Sequence, residues 1–395
     1  MAPLLFATFA LQLHQPHRRA FSAPSFDRTK LCRFTTAAPL SVVTGVQRVC
    51  PSRMAAMKPI ETGQKMHVHS PLVDAPALSE AAGVRLLLKM DCVQPSGSYK
   101  IRGHGHLCTK ARERGVRRFV CSSGGNAGAA VALAGRELRV PTTIVVPTTT
   151  PHFMLHRLHA MGAQVVVHGD VWDVADAYAR EIVRAATARR PEGEENSKFD
   201  EAMYISPFDH PDLWEGHASI VRELVEDLRG ERPAAIVVSV GGGGLFLGVA
   251  EGCRAVGWDG VPILAAETKG ADSFAAMLRA GHRVVSLPAI TSLAKSLGAL
   301  AVSEKCAEWT RSGRNVHSSV VSDKEAVQAC AAMATHHRVL VEPACGAAVA
   351  AAVRDGARLF RGAGPVVVIV CGGSIVSPAL LASWMEATGA TPVEL

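Results

Sequence analysis

From about residue 80 onward, short apolar runs alternate with amphipathic stretches. The runs at 85–90, 118–121, 142–146, 164–168, 203–206, 235–240, 263–267, 318–321 and 366–371 are dominated by aliphatic residues and predict β-strands. Between them, 171–189, 214–229 and 324–338 place apolar residues at three- and four-residue spacing and predict helices. Strand, helix, strand, repeated many times, predicts an α/β fold with mostly parallel, twisted sheets flanked by helices. The stretch 189–201 (RRPEGEENSKFDE) is polar and holds Pro and Gly. It reads as an exposed loop and is the best candidate for a domain seam. No internal repeat is evident.

Composition sharpens this picture. A chain of 395 residues is long enough for two domains. Few aromatics (5%) and 35 glycines favour buried parallel strands joined by tight turns. No apolar run is long enough for a membrane-spanning helix. The net charge is +7, and residues 1–60 supply all of it with eight Lys or Arg against Asp27 alone. The remainder balances, so nothing suggests nucleic-acid binding. Residues 1–56 are basic, nearly acid-free and without hydrophobic period. They fit a mitochondrial transit peptide, a tail, or an upstream extension with Met54 or Met57 as the working start. The ten cysteines form no CxxC pair and several sit in apolar runs, as thiols do in a reducing compartment. His152, His156 and His159 could share a helix face, but no HExxH accompanies them, and they read as surface residues.

Four places carry candidate chemistry. Lys100, in QPSGSYKIRG, is an amine at the mouth of a helix-like stretch. It could form a Schiff base with an aldehyde, although a lone lysine is more often a solvated surface residue. In AAIVVSVGGGGLFLG a buried strand breaks into Gly241, Gly242, Gly243 and Gly244 and then a helix beginning near Leu245. Such a junction can cradle a phosphate on backbone N–H groups at a helix N-terminus. It is neither a P-loop nor a dinucleotide fingerprint, and alone it is as often a flexible loop. FVCSSGGNAGAA sets Ser122, Ser123, Gly124 and Asn126 at a helix start. They are either ordinary N-caps or a grip for a substrate carboxylate by hydroxyls and N–H groups. PVVVIVCGGSIVS ends a strand at Cys371 with two glycines after it, either a structural thiol or a ligand contact.

Together with SPFDHPDLWEGHASIV, ETKGADSF, ITSLAKSLG and VEPACGAA, these runs resemble the pyridoxal-phosphate-dependent serine/threonine dehydratases of fold type II, nearest the L-serine dehydratase branch. The resemblance covers about residues 66–390. It implies a tryptophan synthase β-like fold in two domains. The large one would be 58–101 with 194–395, the small one 102–193, and 1–57 an extension. It also implies roles. Lys100 becomes the Schiff-base lysine and Gly241, Gly242, Gly243, Gly244 and Leu245 the phosphate cradle. Asn126 would bond the cofactor's phenolic oxygen, Cys371 would face the ring nitrogen, and Tyr99 would lie beside the ring. Ser122, Ser123, Gly124 and Asn126 would hold the substrate, Ser123 also standing as a candidate acid/base. Glu267, with carbonyls of Gly241, Ala271, Leu297 and Ala299, would take a monovalent cation, potassium by its oxygen ligands. The chain departs from the pattern at Gly124 (Ala is common there), at Ile375 (usually Asn) and in a long loop at 192–201.

The implied reaction is loss of water and then ammonia from L-serine, giving pyruvate, with L-threonine giving 2-oxobutanoate. Lys100 would take the α-proton, kept neutral by cationic and apolar surroundings. The alternatives are serine racemase, a β-replacing synthase, or a weak cofactor-binding regulatory protein. The family precedent is a cytoplasmic homodimer in amino-acid catabolism, extending to gluconeogenesis. The basic N-terminal segment leaves a mitochondrial location open. No regulatory domain follows the last helix, which favours the catabolic reading.

Overall fold

The computed structural model of the protein describes residues 65–188, 202–313, 315–360 and 364–391. The N-terminal segment and the whole of the expected 189–201 loop lie outside these. Ten strands are described: β1 Leu72–Asp74, β2 Leu86–Lys89, β3 Arg118–Cys121, β4 Thr142–Val146, β5 Gln164–Val167, β6 Ala202–Tyr204, β7 Ala235–Ser239, β8 Ile263–Thr268, β9 Val316–Val321 and β10 Val366–Ile369. Each of the nine runs read as strands from the sequence holds one, within a few residues. The unforeseen strand is β1, three residues on a sheet edge.

Two sheets result, one six-stranded in the order β1-β2-β10-β7-β8-β9 and one four-stranded in the order β5-β4-β3-β6. Only β1, pairing with β2, is antiparallel; every other pairing is parallel. The strands β2, β4, β7, β8 and β10 are buried at every position. That is why they read as continuous apolar runs and not as alternations. β6 belongs to the four-stranded sheet, so a small domain ending at 193 would leave one of its own strands behind.

Two helical stretches are subdivided. The 214–229 stretch lies across helices Pro211–His217 and Ser219–Asp227, which meet at Ala218. There Gly216 packs so closely on the Lys100–Glu113 helix that an added Cβ would lie 2.5 Å from the Arg102 carbonyl. The 324–338 stretch is a helix, Asp323–Ala332, then a π-helical turn, Met333–His337, ended by Arg338 in the left-handed region (φ 58°). Among the described residues all cysteines are free, no helix is long and apolar enough to cross a membrane, and His152, His156 and His159 are exposed.

In a parallel sheet every strand delivers its carboxyl end to one edge, where the following loops build a site. β2 leads toward Lys100, β3 to Ser122, β7 to Gly241, β8 to Glu267 and β10 to Cys371. The topology therefore brings to corresponding strand ends the motifs that the sequence scatters over some 270 residues.

Candidate active site

Lys100 is the first residue of the helix Lys100–Glu113. Its Nζ donates to the Pro207 carbonyl at 2.6 Å and stands 5.2 Å from the centre of the Tyr99 ring. Burial pushes its pKa down to about 8, and the neighbours Cys121, Cys371 and Glu342 pull the other way. The expected cationic surroundings are thus corrected: desolvation, not a neighbouring cation, holds this amine near neutrality. Tyr99 donates its N–H to the Cys371 carbonyl at 2.9 Å, and Ser98 bridges to Gly372. These bonds tie the lysine loop to the end of β10.

The glycine run after β7 is built for close approach. A Cβ on Gly242 would lie 2.3 Å from the Phe208 ring, and one on Gly244 would lie 2.7 Å from the Phe208 carbonyl. Gly243 combines φ 96° with a Cβ position 2.2 Å from Cys306 Sγ, so no other residue fits there. The N–H groups of Gly242, Gly243, Gly244 and Leu245 find no hydrogen-bond acceptor among the described residues. They stand at the N-terminus of the helix Gly244–Ala255, where an anion is favoured. Residues and geometry fit a phosphate group.

The β3 loop differs from expectation at one residue. Ser122 is fully buried and its hydroxyl donates to Asp176 Oδ1 at 2.6 Å, with the Tyr204 hydroxyl 3.0 Å away. Arg180 Nε donates to the other oxygen of Asp176 at 2.8 Å. The Ser122 hydroxyl therefore faces inward and cannot grip a substrate carboxylate, which leaves only its backbone N–H for that task. Ser123 remains at the mouth, its Oγ accepting from Gly125 N at 3.3 Å. Gly124 has little spare room, since a Cβ there would meet Val146 and Thr150 methyls at 3.1 Å.

Asn126 opens the helix Asn126–Leu138 and is buried. Its Nδ2 donates to Glu342 Oε1 at 2.7 Å, and its Oδ1 accepts from the Ser374 hydroxyl. Cys371 is buried, and its sulfur accepts from Ser239 Oγ at 3.2 Å. Burial raises the pKa of Glu267 to about 8, although both its carboxyl oxygens accept backbone N–H bonds, from Phe274 and Ala275 at 2.8 Å each. Gly241 lies against Leu297, a Cβ on it being 3.2 Å from Leu297 Cα, while Ala271 and Ala299 lie in the turns after β8 and after Leu297.

Sequence reasoning missed three participants. Glu342 was quoted within VEPACGAA but given no role. Arg157 reaches from the helix His152–Ala160 to the carbonyls of Ser96, at 2.8 Å, and Ser374, so it ties that helix to the lysine loop and to the loop after Cys371. His217 lies under the Tyr99 ring, with centroids 4.8 Å apart, and its ring nitrogens have no partner among the described residues. The available signal was the pair of helical glycines, Gly103 and Gly248, whose absent side chains make room for this imidazole.

A family profile described as pyridoxal-phosphate dependent enzyme matches residues 65–372. The chain is 45% identical over 335 residues to an L-serine dehydratase/L-threonine deaminase of Bos taurus, covering 83% of this chain and 98% of that one. It is 47% identical to a serine dehydratase-like protein of Mus musculus, over 80% of this chain and 92% of that one. The solved structure of a fungal L-serine ammonia-lyase from Rhizomucor miehei superposes with a TM-score of 0.74 at 35% identity, covering 82% and 99%.

Proposed function

The chain belongs to the family of pyridoxal-phosphate dependent enzymes, and from that premise we propose that it deaminates L-serine to pyruvate and ammonia, with L-threonine to 2-oxobutanoate as a second activity. The observation that carries the reading is Lys100, an amine of lowered pKa that neighbours the Cys371 thiol and bonds the Pro207 carbonyl, one residue before the Phe208 that packs on the glycine cradle. Relatives 45–48% identical, named as L-serine dehydratase/L-threonine deaminase, support it over the racemase alternative.

Pyridoxal phosphate supplies, when bound, a conjugated ring that withdraws electrons from the substrate's α-carbon. The N–H groups of Gly242, Gly243, Gly244 and Leu245 would take its phosphate, Asn126 Nδ2 its phenolic oxygen and Cys371 its ring nitrogen. A thiol there polarises the ring nitrogen less than a carboxylate would, which suits direct departure of the β-hydroxyl. Lys100 would hold the cofactor through its amine, and its neutral Nζ would accept the α-proton of serine. N–H groups of the 122–126 loop, with the Ser123 hydroxyl, hold the substrate carboxylate. One water leaves with the β-hydroxyl and one is consumed in releasing ammonia, so the products balance as pyruvate and ammonia.

Two results follow. The rate of covalent pyridoxal phosphate uptake by the apoprotein should rise with pH and level off above about 8, where Lys100 becomes neutral. An ordinary lysine would keep accelerating toward its own, higher pKa, and stopped-flow absorbance distinguishes the two curves. Gly242→Ala should weaken cofactor binding roughly tenfold, the strain of one methyl forced against a ring, as read by fluorescence titration of the apoprotein.

Four finer points belong to the same proposal. A monovalent cation, potassium by its oxygen ligands, would relieve the buried and poorly compensated carboxyl of Glu267. The four-stranded sheet is the core of a small domain and the six-stranded sheet of a large one. A homodimer is carried by the family resemblance. So is a cytoplasmic role in amino-acid catabolism and gluconeogenesis. The deciding experiment is product analysis: purified, cofactor-loaded protein should form pyruvate from L-serine. Recovery of D-serine with no pyruvate would overturn the assignment in favour of racemisation.

A further inference from the structure

Two buried polar atoms beside Gly372, Glu342 Oε2 and Ser98 Oγ, have no hydrogen-bond partner among the described residues. Both border one short piece of backbone. A Cβ on Gly372 would lie 2.9 Å from Glu342 Oε1, 3.1 Å from Ser98 Cβ and 3.6 Å from Asn126 Nδ2. Glu342 also donates its own N–H to the Gly372 carbonyl at 3.2 Å. It caps the helix Pro343–Leu359, its carbonyl accepting from Cys345 and Gly346.

The Asn126 amide is thus gripped at both ends. Its nitrogen is committed to Glu342, 216 positions away, and its oxygen to Ser374. An amide so held cannot flip, and its remaining Nδ2 hydrogen is free for a ligand. Holding Asn126 occupies one oxygen of Glu342. The other, buried and unsatisfied, is costly unless something bound in the site satisfies it.

We propose that Glu342 is a positioning residue of the active site: it aims the Asn126 amide at the bound cofactor, and its second oxygen faces the same bound group. The inference rests on the functional reading above and assigns that site one more carboxyl. The groups acting on Glu342 come from several elements: Asn126, Lys100 and Arg157 from three helices, and Ser296 from the turn Lys295–Leu297. Burial raises its pKa to about 7, while the hydrogen bond from Asn126, the nearby Ser296 and the charges of Lys100 and Arg157 pull it down. Its carboxyl therefore exchanges a proton near neutral pH.

The test is Glu342→Gln, which keeps the shape and an oxygen for Asn126 but cannot titrate. In the wild-type apoprotein, infrared difference spectra should show a carboxyl losing its proton near neutral pH, and E342Q should lack that band. Affinity for pyridoxal phosphate should fall roughly tenfold in E342Q. The bound cofactor's visible absorbance should lose a pH-dependent step near neutrality that the wild type shows. A merely structural glutamate would leave the affinity and the pH-dependent absorbance step unchanged in E342Q while lowering thermal stability. Unchanged affinity with the same pH step in E342Q overturns the proposal. Should E342Q not fold, Ser374→Ala frees the other end of the Asn126 amide, and unchanged cofactor affinity there overturns it equally. The infrared and affinity measurements need no turnover, so they decide the role of Glu342 even if pyruvate formation fails.

Discussion

Lys100→Ala abolishes pyruvate formation, lowering the rate by about three orders of magnitude or more, because one side chain serves as both covalent anchor and proton acceptor. The loss should be chemical and not structural. Among the described residues Lys100 makes one side-chain hydrogen bond, to the Pro207 carbonyl, and its ammonium form is disfavoured by burial. Removing a poorly solvated cation relieves a cost, so the variant apoprotein should melt no lower than the wild type. The characteristic visible absorbance of the loaded protein should vanish with the activity. Retained turnover, or a large drop in melting temperature, would each point to a different role for this residue.

The second large effect is on stability. Arg102, two residues along the same helix, is fully buried. Its guanidinium donates twice to Asp91 at 2.7 Å and to the two oxygens of Glu223 at 2.6 and 2.8 Å. It also reaches Ser70 and Ser219, each at 3.1 Å. Lys89, also fully buried, joins from β2, bonding Asp227 at 2.7 Å, the Ser70 carbonyl at 2.7 Å and Glu223 at 2.8 Å. The network ties β2, the lysine-bearing helix and the helix Ser219–Asp227 to one another. Burial alone would raise the Glu223 pKa, but the hydrogen bonds and charge of Arg102, with those of Lys89, outweigh it and bring it to about 2. A depressed carboxyl stabilises the fold above its unfolded value and loses that contribution as pH falls through the folded one.

Arg102→Met keeps the apolar bulk yet leaves carboxylates without their main partner. It should cost about 3–5 kcal/mol at neutral pH, a large share of the 5–15 kcal/mol typical of a folded domain. Denaturant unfolding measures it. The penalty should shrink as pH falls toward 4, where the stranded carboxyls take up protons. A penalty independent of pH would mean that packing, and not charge, is what Arg102 supplies.

What the sequence made legible follows from periodicity and from backbone chemistry. Fully buried parallel strands announce themselves as unbroken apolar runs, as β2, β4, β7, β8 and β10 do, whereas β3, β5, β6 and β9 were readable although partly exposed. β1 was not, because three half-exposed residues on an edge carry no period. The cradle was readable because glycine there answers a backbone need, the free N–H groups of 242–245 and the positive φ of Gly243. Side-chain direction was less readable. Ser122 and Ser123 are adjacent and alike in sequence, yet one hydroxyl turns to Asp176 and the other stays at the mouth. Glu342 was hidden for another reason: its meaning lies in an amide 216 positions away, and nothing local to VEPACGAA encodes that contact. The buried ion network was equally silent, since Arg102 and Lys89 look like ordinary surface charges until the fold encloses them.

The central claim is that pyridoxal phosphate attaches to the amine of Lys100. Borohydride reduction of the cofactor-loaded protein, followed by peptide mapping, tests it without any assumption about substrate. One label per chain on the peptide containing Lys100 is the predicted result; a label on another lysine, or none, would contradict it.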